Sequence, residues 1–308
     1  MSAGTAFLFP GQASQFVGMG ADLRERHPMV RETFEEADGI IGFDLSRVCF
    51  EGPMERLSQT EITQPAVYVH SVAVARLLAE RGLRPDAVAG HSLGEYSALT
   101  AAGVLDFPEG LSLVRERGRL MQAAGGERPG KMAAVIGLED DIVAGLCEEI
   151  GPEVVPANYN SPGQVVLSGE SGAVERAMAA AEAAGARRVV ELPVSGAFHS
   201  PLMASAAEGL APRLAATRFS PPSVPVVTNV TAAPETDPSA LRRLLFEQMT
   251  APVRWTESVR ALSAMGVERA YEVGPGSVLK GLSRRILRDL RVETAGTAEE
   301  MSGLETGV

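Results

Sequence analysis

Cysteine is almost absent from this chain: the two residues in 308, Cys49 and Cys147, lie far apart and without metal-ligand spacing. That excludes a disulfide framework or a cysteine-built zinc site, and two buried thiols are expected instead. Histidine is nearly as scarce, at four residues, so a histidine base has to be His27, His70, His91 or His199. Positive charge is in deficit, with 28 Lys and Arg against 39 Asp and Glu and a net charge of -11. Without a dense basic run this disfavours nucleic acid as a partner. No stretch reaches the roughly 18 consecutive apolar residues of a membrane span. Met1-Ser2-Ala3-Gly4 leads straight into a strand, with neither the cationic start nor the apolar core of a secretion signal, so a cytoplasmic protein off the membrane is expected. Internal repeats are also missing. What is present, 45% hydrophobic and 22% charged residues, suffices for a sizeable core.

The strongest local signal is Gly90-His91-Ser92-Leu93-Gly94-Glu95. The apolar run Ala87-Val88-Ala89 precedes it and an Ala-rich helical pattern, Tyr96 to Gly103, follows. A Gly-x-Ser-x-Gly turn between strand and helix holds a serine hydroxyl out of the fold, beside helix N-terminal N–H groups that can receive negative charge. Small residues flank the serine because the turn is tight.

Elsewhere the pattern alternates strand and helix. Ala6 to Phe9 reads as a strand stopped by Pro10-Gly11, Asp22 to Gly39 and Gln64 to Glu80 as helical, and Arg84-Pro85 as the turn before the Ser92 strand. Such alternation implies an α/β protein with a parallel sheet. Between Gly130 and Pro193 the order becomes β-α-β-β-α-β, that of a ferredoxin-like split unit, entered through the linker-like Gly125 to Gly130. The expected organisation is a large catalytic subdomain over 1–128 and 194–292, a small subdomain over 129–193, and a disordered Gly-, Thr-, Glu- and Ser-rich tail over 293–308.

A serine nucleophile needs a base within hydrogen-bond reach. His91 adjoins Ser92, where successive side chains diverge; His27 lies in a charged segment and His70 within an apolar helix. His199 is left, at the re-entry from the inserted unit into the main domain, and a cleft between subdomains suits a ligand. No acidic residue presents itself as a third member, and a backbone carbonyl could orient His199. Arg115, Arg117 and Arg119 share one predicted helix with Met121, and at least one should point inward. A buried guanidinium requires a carboxylate or equivalent partner; solvated arginines are the alternative. The loop Phe9 to Gln15 is where an oxyanion-hole donor would arise in a fold of this kind.

Several ordered segments resemble one family. They are Phe9-Pro10-Gly11-Gln12, Thr63-Gln64-Pro65-Ala66, the Ser92 turn, Arg117-Gly118 with Met121, Asn160 to Gln164, Ala197-Phe198-His199-Ser200, Gln248 with Pro252 to Trp255, and Glu272 to Gly276. Together they resemble malonyl-CoA:acyl carrier protein transacylases and the related discrete acyltransferases of polyketide synthases. The resemblance implies an α/β-hydrolase-like large subdomain with an inserted ferredoxin-like one, and no cofactor or metal. It implies Ser92 as nucleophile, His199 as base and then acid, Arg117 holding the malonyl carboxylate, and the N–H groups of Gln12 and Leu93 as oxyanion hole. Gln64, Met121, Gly196, Phe198 and Gln248 would bind substrate, with Gln248 near the position that orients His199. Malonyl-CoA and a phosphopantetheinylated acyl carrier protein would be the partners.

Two departures matter. Ala13 stands where the family often has glycine, and Gly196 stands where malonyl-selective polyketide acyltransferases usually have histidine. Phe198 fills the space of a 2-methyl substituent and favours malonyl, whereas Gly196 removes bulk and opens the alternative of a larger extender unit. The chain reads as a free-standing enzyme of fatty acid or polyketide synthesis, with Ala-Phe-His-Ser and Gly-Leu-Glu-Asp-Asp leaning towards polyketide service in trans. Lys280, Arg284, Arg285, Arg288 and Arg291 form a basic strip for an acidic carrier protein or, alternatively, a solvated helix face. A proofreading acyl hydrolase is the competing enzyme, against which Arg117 argues; a silent docking protein is the third reading, against which Ser92 and His199 argue.

Overall fold

The computed structural model describes residues 4–194 and 196–304; Met1 to Ala3, Ser195 and the last four residues of the expected tail lie outside that description. The larger sheet contains β1 (Gly4–Phe9), β2 (Ala87–Gly90), β7 (Val226–Val227), β8 (Pro234–Glu235), β9 (Val267–Glu272) and β10 (Arg291–Thr294) in the order β10-β9-β1-β2-β7-β8. All its pairings are parallel except β7 with β8. β1 is apolar throughout because both faces are covered: Phe7 and Phe9 point into the main core, Ala6 and Leu8 into a second one. The pairs Phe9↔Gly90 and Leu8↔Glu272 bring the C-terminal ends of β1, β2 and β9 together. The loops that follow these three strands are therefore neighbours, and this is the end of an open parallel sheet where ligands bind.

The second sheet is antiparallel: β3 (Gly130–Ile136), β4 (Val154–Ser161), β5 (Gln164–Glu170) and β6 (Arg188–Glu191), in the order β4-β5-β3-β6. With helices Asp140–Ile150 and Ser171–Ala183 it is ferredoxin-like. Alternation along β3 explains its placement. Ala133 and Val135 join the core beneath those two helices, whereas Met132 and Ala134 join the core of the large subdomain. Main-chain bonds from Val253 N–H to the Ala157 carbonyl (2.8 Å) and from Tyr159 N–H to the Val253 carbonyl (2.9 Å) tie β4 to the large subdomain.

The chain departs from expectation in two elements. The segment Asp22 to Gly39 is two helices, Ala21–Arg26 and Pro28–Ile41, because Pro28 cannot continue the first and starts the second. The tail is ordered through 304: β10 pairs with β9, and helix Ala298–Gly303 carries a capping box between Thr297 and Glu300. Its few apolar residues are well placed, since Ala295, Ala298 and Met301 are buried in the main core. Both cysteines are free and buried, and among the described residues no helix is long and apolar enough to cross a membrane.

Candidate active site

Ser92 follows β2 and precedes helix Gly94–Ala101, with φ 52°. The turn leaves no space for side chains around it: a Cβ on Gly94 would lie 2.0 Å from the Phe9 carbonyl oxygen, and one on Gly90 2.0 Å from the Gly94 carbonyl. Among the described residues only four that are not glycine have positive φ, and His199, at 58°, is another of them. Such strained backbone persists where surrounding contacts enforce it. Around His199 those contacts are Ser200 Oγ donating to the Ala197 carbonyl at 2.7 Å and accepting from Leu202 N–H at 3.2 Å.

The two side chains meet: Ser92 Oγ and His199 Nε2 are 2.7 Å apart. His199 Nδ1 lies 2.9 Å from the Gln248 carbonyl oxygen and 3.2 Å from that of Ala251. Carbonyl oxygens only accept, so Nδ1 carries the proton and Nε2 turns its lone pair to the serine hydroxyl. Burial, with the Arg117 charge adding to it, lowers the His199 pKa to about 3, which keeps the ring neutral with the Nε2 lone pair free.

Arg117 comes from helix Phe107–Glu127 and is 1% exposed, while Arg115 and Arg119 face solvent on the same helix. Its Nη1 donates to Gln64 Oε1 at 2.8 Å, and its Nη2 donates to Ser92 Oγ at 3.0 Å and Gln248 Oε1 at 3.1 Å. All three partners are neutral, so the guanidinium stands ready for an anion. Met121 lies one turn further along the helix and accepts from Gln64 Nε2 at 3.4 Å. Ser92, His199, Arg117, Gln64, Met121 and Phe198 line one cavity of about 220 Å³, and Gln12 and Leu93 lie on its wall beside Ser92. The Gln12 side chain turns away towards Thr60 Oγ1 at 3.4 Å.

Two residues expected to bind substrate do not line this cavity. Gly196 does not line the cavity: a Cβ there would sit 3.1 Å from Gly125 Cα and 3.2 Å from the Phe198 ring, so helix backbone already occupies the space that a side chain would fill. The absent side chain therefore leaves no hollow beside Gly196 in this structure. Gln248 lies one layer behind the cavity, fully buried, with its amide between Arg117 and Glu95 and its backbone carbonyl on His199.

Three residues were missed or undervalued from the sequence. Asn229 locks the turn: its Oδ1 accepts from Ser92 N–H at 2.7 Å, and its Nδ2 donates to the Gly90 carbonyl at 2.6 Å. A polar residue just past β7, at the C-terminal edge of a parallel sheet, was the available signal. Glu95 is 1% exposed, and its Oε2 accepts from Gln248 Nε2 at 2.7 Å and Asn229 N–H at 3.1 Å. Burial raises its pKa to about 7. Asn160, quoted only as part of a motif, takes His91 Nε2 at 2.8 Å through Oδ1, which makes His91 a support of the cavity wall. His27 and His70 lie away from the cavity.

A nucleophile, a neutral base and an anion receiver thus converge on one hydroxyl oxygen, the arrangement for acyl transfer to and from serine. Residues 6–303 match the acyl transferase domain family. The malonyl CoA-acyl carrier protein transacylase of Escherichia coli (strain K12) is 50% identical over 302 residues, covering 97% of each chain. The crystal structure of malonyl-CoA:acyl carrier protein transacylase from Xanthomonas oryzae pv. oryzae superposes with a TM-score of 0.94 at 47% identity, covering 98% of both chains. A malonyl-transacylase solved in complex with its type II polyketide synthase acyl-carrier protein gives 0.95 at 45% identity, covering 97% of this chain and 98% of that one. By site geometry, sequence and fold together, this chain belongs to the acyl transferase domain family, among its malonyl-CoA:acyl carrier protein transacylases.

Proposed function

We propose that this protein carries a malonyl group from coenzyme A to the phosphopantetheine thiol of an acyl carrier protein through an ester on Ser92, in the cytoplasm, for fatty acid or polyketide synthesis. The observation that carries the reading is that Ser92 Oγ lies 2.7 Å from a neutral histidine and 3.0 Å from a buried guanidinium. His199 Nε2 takes the hydroxyl proton as Oγ attacks the thioester carbonyl. The oxyanion faces the N–H groups of Gln12 and Leu93. Collapse expels the CoA sulfur, which receives the proton from His199. The carrier thiol then gives its proton to the same nitrogen, attacks the ester carbonyl, and Ser92 leaves with the proton restored.

Arg117 sets the acyl class. In a malonyl ester one methylene separates the ester carbonyl from the free carboxylate, so a group anchored on Oγ reaches a guanidinium that now touches Oγ. A neutral acyl group leaves that guanidinium unpaired. The basic strip supports docking of an acidic carrier. Helix Val278–Ile286 turns Val278, Leu279 and Leu282 to the cavity and exposes Lys280, Arg284 and Arg285, with Arg288 just beyond. Arg291 is set apart, 3.2 Å from Glu293.

The test is intact-protein mass spectrometry after brief incubation with equimolar malonyl-, methylmalonyl-, ethylmalonyl- and acetyl-CoA. A malonyl adduct that Ser92→Ala abolishes is the expected outcome; a dominant ethylmalonyl adduct, or malonyl loading retained by the variant, contradicts the assignment.

A further inference from the structure

The nearest carboxylate to the anion receiver is Glu95, and it does not touch it. Gln248 stands between them: Nε2 donates to Glu95 Oε2 at 2.7 Å and to the Ser92 carbonyl at 3.0 Å, while Oε1 accepts from Arg117 Nη2 at 3.1 Å. The reverse amide orientation would set an NH2 group against a guanidinium and a carbonyl against a carboxylate, so Glu95 and Arg117 fix it jointly. In the free enzyme the buried positive charge is thus balanced across an amide by a buried negative one. An arriving acyl carboxylate changes the count to two carboxylates and one guanidinium, and with Arg117 and Glu95 both buried the like charges cannot both stay ionised cheaply.

We propose that Glu95 is a positioning and charge-balancing residue of the transfer: acting through the Gln248 amide it neutralises Arg117 while no acyl carboxylate is present, and it takes one proton from solvent when one binds. The proton goes to Oε1, since Oε2 is engaged by the Gln248 and Asn229 N–H groups. The surroundings leave Glu95 as the group that responds. Arg117, from helix Phe107–Glu127, is the positive charge; Tyr96, on Glu95's own helix, keeps its proton to about pH 12; and His199 and His91, on the loops beside Ser92, are held neutral by burial. Burial, opposed by the Gln248 and Asn229 hydrogen bonds and by the Arg117 charge, already raises Glu95 to about 7, and a second carboxylate moves its titration further up through the range where the enzyme can be assayed. The inference rests on the malonyl-transfer reading and adds a consequence that Arg117 by itself does not have.

That consequence concerns selectivity. Protonated Glu95 favours a dicarboxylic occupant, and ionised Glu95 favours a neutral one. The equilibrium ratio of malonyl- to acetyl-enzyme therefore falls as pH rises above about 7, by up to about tenfold per pH unit for a single proton. Ionisation of the CoA thiol cancels in the ratio. The experiment loads the enzyme from mixed malonyl- and acetyl-CoA with excess free CoA and reads both adducts by intact-protein mass spectrometry from pH 6 to 8.5. Wild type should show the falling ratio. Glu95→Gln, which keeps an acceptor for Gln248 and removes the charge, should show a flat one, so that at pH 8.5 the variant is about tenfold more malonyl-selective than wild type; a damaged fold does not raise selectivity. A pH-independent ratio in wild type, or the same slope in both proteins, overturns the proposal, and the wild-type arm decides alone if the variant does not fold. If no malonyl adduct forms on Ser92 at any pH, the transfer reading itself fails and the inference falls with it, a result distinct from malonyl loading without a slope.

Discussion

A histidine with two carbonyl oxygens on one ring nitrogen has one way to carry its proton, and at His199 that way leaves Nε2 free to take a proton from Ser92. The lowered pKa has a consequence for rate. Because the group is depressed from 6.5 to about 3, the base form persists far into acid, and the rate of malonyl loading at pH 5.5 should fall no more than about twofold below that at pH 7.5. A histidine of ordinary pKa would lose about tenfold over the same interval, and stopped-flow loading kinetics separate the two outcomes. Arg117→Ala should lower malonyl loading by 100-fold or more, on the order of the 3 kcal/mol lost with a buried charge-assisted pair, while acetyl loading changes little; equal losses for both thioesters would contradict its role as carboxylate receiver. Ser92, His199 and Arg117 could be picked out because each sits in a short motif. Asn229 and the part played by Glu95 could not, since they depend on hydrogen bonds spanning more than 130 residues. Gly196 shows a related limit: sequence does not tell a missing side chain from empty space, and here the backbone of helix Phe107–Glu127 lies against it, with Gly125 Cα 3.1 Å from where a Cβ would be.

Elements show a different balance between local and distant information. The Ser92 turn is legible because its requirement is local: strand, small residues, helix. The structure adds its severity, since a Cβ at Gly94 would lie 2.0 Å from the Phe9 carbonyl and relief would mean separating the helix from β1. Gly94→Ala should therefore destabilise the protein by at least about 3 kcal/mol in urea unfolding; a loss below about 1 kcal/mol would show that the turn has slack. β3 was readable as a strand from its apolar run, but not the division of its two faces between two cores, which depends on what packs against each face. The Gly, Thr, Glu and Ser content of the tail points to disorder. Order there comes from a capping box and four buried anchors, Ala295, Ala298, Met301 and Leu304, a sparse pattern that composition averages away.

Across the whole molecule, net charge and local charge point in opposite directions. The chain carries -11 overall, yet the helix that contributes Val278, Leu279 and Leu282 to the cavity exposes Lys280, Arg284 and Arg285 beside its mouth. A partner with acidic residues should be steered to this end of the sheet against the mean field, and salt should weaken that steering. The double variant Arg284→Glu/Arg288→Glu should raise the KM for carrier protein by roughly tenfold at low salt and leave the rate of malonyl loading from CoA unchanged; an unchanged carrier KM would return the strip to the solvated surface. Fold class was legible at this scale because strand–helix alternation and the β-α-β-β-α-β order survive errors in any one element. Placement of the small sheet over the active-site end was not, because it rests on contacts such as Val253 with Ala157 and Tyr159 that no periodicity encodes.

The most direct test of serine-mediated malonyl transfer is a single-turnover chase. Malonyl-enzyme, freed of CoA, is mixed with phosphopantetheinylated carrier protein or with buffer alone, and both proteins are followed by mass spectrometry. The account predicts that malonyl leaves Ser92 and appears on the carrier in near-equal amount, at least 100-fold faster than the ester is lost to buffer. Loss to water at a comparable rate, with no malonyl carrier formed, would contradict it and make the protein a hydrolase.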